Sequence, residues 1–71
     1  MTTSEKRIKL IKLISTLNPQ EHYVDASYVH FLEEAQDHVI ESLYYKCYED
    51  PVWKEDYPNE AVFLKRCIDK R

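Results

Sequence analysis

Three stretches of this chain repeat apolar side chains at helical spacing, and a proline stands in each interruption between them. Ile8, Leu10, Ile11, Leu13, Ile14 and Leu17 recur with the 3.6-residue period, predicting a helix from about residue 5 to residue 17. Ser4 is suited to cap it and Glu5 suits its positive start. The six apolar side chains leave only the strip of Glu5, Lys9, Lys12 and Thr16 for water, so this helix is expected to be enclosed on more than one side. A basic membrane-surface helix needs a narrower apolar face and usually an aromatic anchor, so "IKLIKLIS" reads as core.

Asn18-Pro19-Gln20-Glu21 ends that helix and offers a cap, a proline and an acid for a short helical turn near residues 19–24. Asp25 is a second cap. From Ala26 onward, Tyr28, Val29, Leu32, Ala35, Val39, Ile40, Leu43 and Cys47 lie on one stripe, predicting a central helix over about 25–48. Asp50-Pro51 stops it and opens another short turn over 51–56 through Trp53. Pro58-Asn59-Glu60 starts a last helix over about 59–69, whose inward residues are Ala61, Leu64 and Ile68, flanked by Val62, Phe63 and Cys67. No segment alternates with period two. The expected fold is all-α, a small bundle of three main helices in a single domain over residues 1–71.

Five aromatics crowd into "LYYKCYEDPVWKEDY": Tyr44, Tyr45, Tyr48, Trp53 and Tyr57. On a continuous central helix with Leu32 at 0°, Tyr28, Val39 and Leu43 fall within about 40°, whereas Tyr44, Tyr48 and Tyr45 fall at about 120°, 160° and 220°. The tyrosines thus occupy the back of the helix, below His30, Glu34, Asp37 and Glu41 on the same face. Two coverings are open: Trp53, Tyr57 and the last helix fold over the rings, or the rings stay exposed as an interface patch. The expectation is mixed, with Trp53 in the core and at least one tyrosine at the surface.

Composition narrows the chemistry. Glycine is absent, which excludes the glycine-rich loops that cradle nucleotide phosphates. No run approaches the roughly 18 apolar residues of a membrane span, and the N-terminal stretch lacks the pattern of a signal peptide. Cys47 and Cys67 have no CxxC spacing and read as reduced, buried thiols of a cytoplasmic protein. The overall charge of −3 hides a segregation. Residues 1–18 carry four basic side chains against Glu5, residues 19–60 carry two against eleven acidic, and residues 61–71 carry four against Asp69. Basic terminal helices on an acidic middle would neutralise one another at the seams, or the acidic face would steer toward a basic partner.

His30, Glu34 and His38 stand at i, i+4 and i+8 of the expected central helix, a row in which neighbours could share a metal. Helix 1 offers only Glu5 as a further ligand, so no metal or cofactor is expected and a solvated face is the simpler reading. The rings sit among Glu49, Asp50, Glu55 and Asp56, which repel phosphates, so direct nucleic-acid binding is not expected either. Gln36-Asp37-His38 with Glu41, followed by Val52-Trp53-Lys54, resembles the A-D-H…E and V-W-K elements of the Hha/YmoA family. These are small helical bacterial proteins that modulate nucleoid-associated partners. Here the acidic residue is offset by one and the Asp-to-Trp interval is shorter; the resemblance implies binding of a basic DNA-associated protein through Asp37 and its neighbours.

The residues themselves point to a non-enzymatic protein-interaction module, a bacterial or phage regulator or inhibitor. The expected partner-binding residues are Asp37, Glu41, Tyr44, Tyr45, Tyr48 and Trp53, and the expected partner is a protein with a basic surface. The alternative from another class is a helical metal-binding or catalytic domain using His30, Glu34 and His38. A homodimer is a further expectation, because a core of this size rarely supplies more than about 3–5 kcal/mol alone.

Overall fold

The computed structural model describes residues 1–70, the side chain of Pro51 excepted; Arg71, the last residue of the expected domain, lies outside the described residues. Helix α1 spans Thr3–Ile14, α2 Ala26–Glu34, α3 Asp37–Tyr48 and α4 Glu60–Asp69, with a 3-10 turn at Pro51–Glu55. No strand occurs among the described residues, so the fold is the all-α bundle that the periodicity predicts. Around residues 18–22 the expected helical turn is a single hydrogen-bonded turn, in which the Asn18 carbonyl accepts from the amides of Glu21 and His22.

Helix α1 begins earlier than the Ser4 cap suggests. Thr2 caps it, and Glu5 reaches back to the Thr2 amide at 3.1 Å while the Thr2 hydroxyl accepts from the Glu5 amide at 3.2 Å. This reciprocal box satisfies two backbone donors that a helix start leaves without partners. The helix then packs against α2, α3 and α4 alike. Leu10 and Ile14 are fully buried, as a helix enclosed on several sides requires. Ile8 is the exception: it projects opposite Leu10, and 54% of its surface is exposed.

The central helix is the main departure from the expectation. Instead of one helix over 25–48 there are two, because Ala35 and Gln36 take extended backbone conformations with ψ of 143° and 157°. Neither residue is a glycine or proline. The break deprives the last carbonyls of α2 of their i+4 amide donors, and a buried or half-buried carbonyl without a donor is costly. Arg7 of α1 supplies them. One guanidinium nitrogen donates to the Leu32 carbonyl at 2.6 Å and to the Ala35 carbonyl at 2.7 Å, while the other meets the Asp37 carboxylate at 3.1 Å. A cation thus sits at the negative end of α2 and an acid at the positive start of α3, the favourable arrangement for both helix dipoles.

Within the expected stripe the break favours Ile40 over Val39. On a continuous helix Ile40 would lie about 80° from Leu32 and Val39 about 20° from it. After the break, Leu32 and Ile40 are both fully buried and Val39 is only half-buried. A single core results, in which Leu10, Ile14, Leu32, Ile40, Leu64 and Ile68 are the largest fully buried side chains. At its edge the Tyr28 hydroxyl donates to Asp69 at 2.5 Å, tying α2 to the end of α4.

Truncating Leu32 to Ala is expected to destabilise the fold by about 2–5 kcal/mol, the range for a fully buried leucine. Val39→Ala should lose clearly less, and urea denaturation of the two variants compares them directly. Arg7→Met, which keeps the aliphatic stem and removes the guanidinium, is expected to cost about 1–3 kcal/mol by leaving the α2 carbonyls without their charged donor. An Arg7→Met denaturation midpoint equal to that of the parent would show that the break is held by something other than this guanidinium.

Candidate functional site

The six residues that the sequence singles out do not form one patch. Asp37 and Glu41 lie in the first turns of α3, and both turn toward α1. Glu41 accepts from Lys6 at 2.6 Å and from the Thr3 hydroxyl at 2.6 Å; Asp37 meets Arg7. These contacts join the basic first helix to the acidic middle of the chain, so the charge segregation is neutralised in part within the fold. The hydrogen bonds from Lys6 and Thr3 hold the Glu41 carboxyl below its usual range, and the same pair raises Lys6.

The aromatic residues divide between the two flanks of α3. On one flank Tyr44 and Tyr48 lie against each other, ring centroids 4.8 Å apart. Lysines of α1 lie over them, while Glu60 of α4 lines the cleft beside Tyr48. The Lys9 ammonium stands 4.6 Å from the Tyr48 centroid and 5.7 Å from that of Tyr44, and Lys6 stands 5.2 Å from Tyr44, all within cation–π reach. On the other flank Trp53 is buried, its ring stacked on Phe63 at 4.6 Å, with Tyr57 tilted against Phe63 at 5.5 Å. The Trp53 indole N–H donates to the Lys46 carbonyl, which anchors the 3-10 turn to the end of α3. Tyr45 projects from the back between these flanks and is 53% exposed, while Tyr48 is 36% exposed. The mixed expectation therefore holds: Trp53 is core and two tyrosines reach the surface.

Beside Tyr48 opens a shallow cleft of about 180 Å³, lined by Cys47, Tyr48, Glu49, Asp50, Lys54 and Glu60. Three of its side chains are acidic and one is basic. It is smaller than the roughly 300–1,000 Å³ of a pocket that encloses a small molecule. Its thiol, Cys47, is pushed up to about 12 by burial and stays protonated near neutral pH.

The His30, Glu34, His38 row is interrupted, because the extended residues 35 and 36 separate α2 from α3. Among the described residues no group of three or more His, Cys, Asp or Glu side chains is placed to hold a metal ion. No helix among them is long and apolar enough to cross a membrane. The two elements that resemble the Hha/YmoA family lie at opposite ends of α3, Asp37 to Glu41 in its first turns and Val52-Trp53-Lys54 in the 3-10 turn. No family model matches the chain, and neither the curated proteins nor the solved structures contain a match to it.

Sequence reasoning missed two participants. Phe63 stacks on Trp53 from a separate helix, and no local spacing links residues ten apart across a proline. Val52, adjacent to the buried Trp53, is 83% exposed at the rim of that cluster.

The Glu41 geometry predicts an acid dependence. Since its carboxyl is held below the usual range, its stabilising contribution is complete above the ordinary carboxylate range and is lost as pH falls through and below it. Thermal melts of the parent should therefore fall on acidification, and Glu41→Gln should melt lower at neutral pH with a shallower acid limb. Parallel acid limbs in the two proteins would remove Glu41 from the account.

Proposed function

We propose that this chain is a non-enzymatic protein-interaction module, a small cytoplasmic regulator or inhibitor of the bacterial or phage kind, which binds a partner's basic surface through the C-terminal end of α3. The observation that carries the reading is the exposure of Tyr48 at a cleft that holds three acidic side chains against one basic, with Tyr45 exposed on the same helix. Tyrosine is enriched at protein interfaces because its ring supplies apolar contact area while its hydroxyl stays hydrogen-bonded. Glu49, Asp50 and Glu60 add a negative field that speeds encounter with a basic surface and weakens with salt. Asp37 and Glu41 act one step removed: they hold α3 on α1 and so present the tyrosines. The cleft combines no nucleophile with a base, and its thiol is protonated, which favours binding over catalysis.

The test uses the immobilised full chain as bait, compared with Tyr45→Ala and Glu49→Lys, at low and high salt, with retained proteins identified by mass spectrometry. Tyr45 is exposed, so its removal should leave the melting temperature unchanged, whereas truncating an interface hot spot weakens binding by about 2 kcal/mol or more. The expected result is a protein with a basic surface, retained by the parent, lost with either variant and released by salt. Retention of the same proteins by all three baits would refute the reading.

A further inference from the structure

The other flank of α3 carries a surface of different chemistry. An open groove of about 470 Å³ runs along Trp53, Tyr57, Phe63 and Cys67, so its floor is largely aromatic. Its remaining lining is Lys46 and Lys70, Asp50 and Asp56, together with Val52. Two cations and two anions cancel, and none of the four forms an ion pair among the described residues. A neutral rim does not attract the basic surface inferred for the tyrosine flank, nor a polyanion. It does complement itself. In a two-fold interface the same patch serves on both sides, and residue i meets j while j meets i. Lysines of one copy can then face aspartates of the other at both ends of the patch. Val52 supplies what the floor lacks: 83% exposed at the rim, it offers each copy an aliphatic side chain to seat against the aromatic floor of the other.

We propose that this groove is the contact between two copies of the chain, an isologous homodimer centred on Val52, Trp53 and Phe63 with Lys70–Asp56 pairs at its rim. The surface shares only Asp50 with the acidic cleft, its aromatic floor contains none of Tyr44, Tyr45 and Tyr48, and it does not rest on the partner reading. A second copy is favoured over a different protein by the balance of charge, and by the small core of a 71-residue chain, for which association adds burial that the monomer lacks.

Sedimentation equilibrium of the full chain from micromolar to millimolar concentration tests the proposal. The expected result is a monomer–dimer equilibrium, with quenching of Trp53 fluorescence by acrylamide falling as dimer forms. Val52→Asp alters an exposed side chain, so the melting temperature of the dilute protein should stay that of the parent. Placed in the contact, the unpaired carboxylate should raise the dimer dissociation constant at least about tenfold. Lys70→Glu and Asp56→Lys should each weaken the dimer alone, and mixing the two variants should restore it, because every facing pair is then of opposite sign. Tyr45→Ala should leave the dimer unchanged, which separates this result from that of the partner experiment. A chain that stays monomeric at every concentration overturns the proposal, as does a dimer that Val52→Asp leaves unaffected or one whose rim variants are not rescued by mixing.

Discussion

The structure turns on one guanidinium. Arg7 reaches from α1 to the gap between α2 and α3 and donates to three carbonyls there, those of Leu32, Glu33 and Ala35, while its second nitrogen meets the acid that opens α3. The gap consists of two extended residues, an alanine and a glutamine, with no intrinsic preference for a break. Without an external donor, closing the gap into continuous helix would satisfy those carbonyls with backbone amides. With Arg7 in place, the chain turns there, and Leu32 and Ile40 both enter the same core. The break therefore determines the rotation of α3 and, with it, where every tyrosine on that helix points.

The basic first helix serves the acidic middle in three ways. Arg7 holds the break, Lys6 pairs with Glu41, and Lys9 with Lys6 covers the Tyr44 and Tyr48 rings. Exposed ion pairs are individually weak, with a median contribution of about 0–1 kcal/mol. The Asp37 side chain, 80% exposed, belongs to that class. The arrangement gains from being collective: the same lysine stems that carry charge also cover aromatic surface, so the helix packs through its polar edge as well as its apolar stripe. This explains how a helix with so little polar circumference touches three neighbours and keeps its lysines at the surface of the bundle.

Two unlike surfaces flank the C-terminal end of α3. One is acidic, with tyrosines partly covered by cations of the same chain; the other is aromatic, with a rim of balanced charge. Asp50 borders both, and its carboxylate also caps the 3-10 turn by accepting from the Val52 amide at 3.1 Å. The turn that separates the two surfaces is thereby fixed at its start by Asp50 and in its middle by the indole N–H of Trp53.

Much of this was present in the pattern of residues. In α4 the inward trio Ala61, Leu64 and Ile68 and the flanking Val62, Phe63 and Cys67 fall as the 3.6-residue period places them, because that helix is short, unbroken and capped by Asn59. The proline-marked stops and the all-α class follow from equally local preferences. The phase of α3 was different. Periodicity measured along residues 25–48 assumes one continuous axis, and the contact that breaks this axis comes from Arg7, twenty-five residues upstream of Leu32. Hence Ile40 is fully buried where Val39 is half-buried, Asp37 and Glu41 turn toward α1, and lysines of α1 lie over Tyr44 and Tyr48. Local sequence determined which segments are helices and which side of each is apolar, since both depend on neighbours within a turn. Only the tertiary structure decided how those sides are rotated against one another, since that depends on where a long cationic side chain finds carbonyls that lack donors.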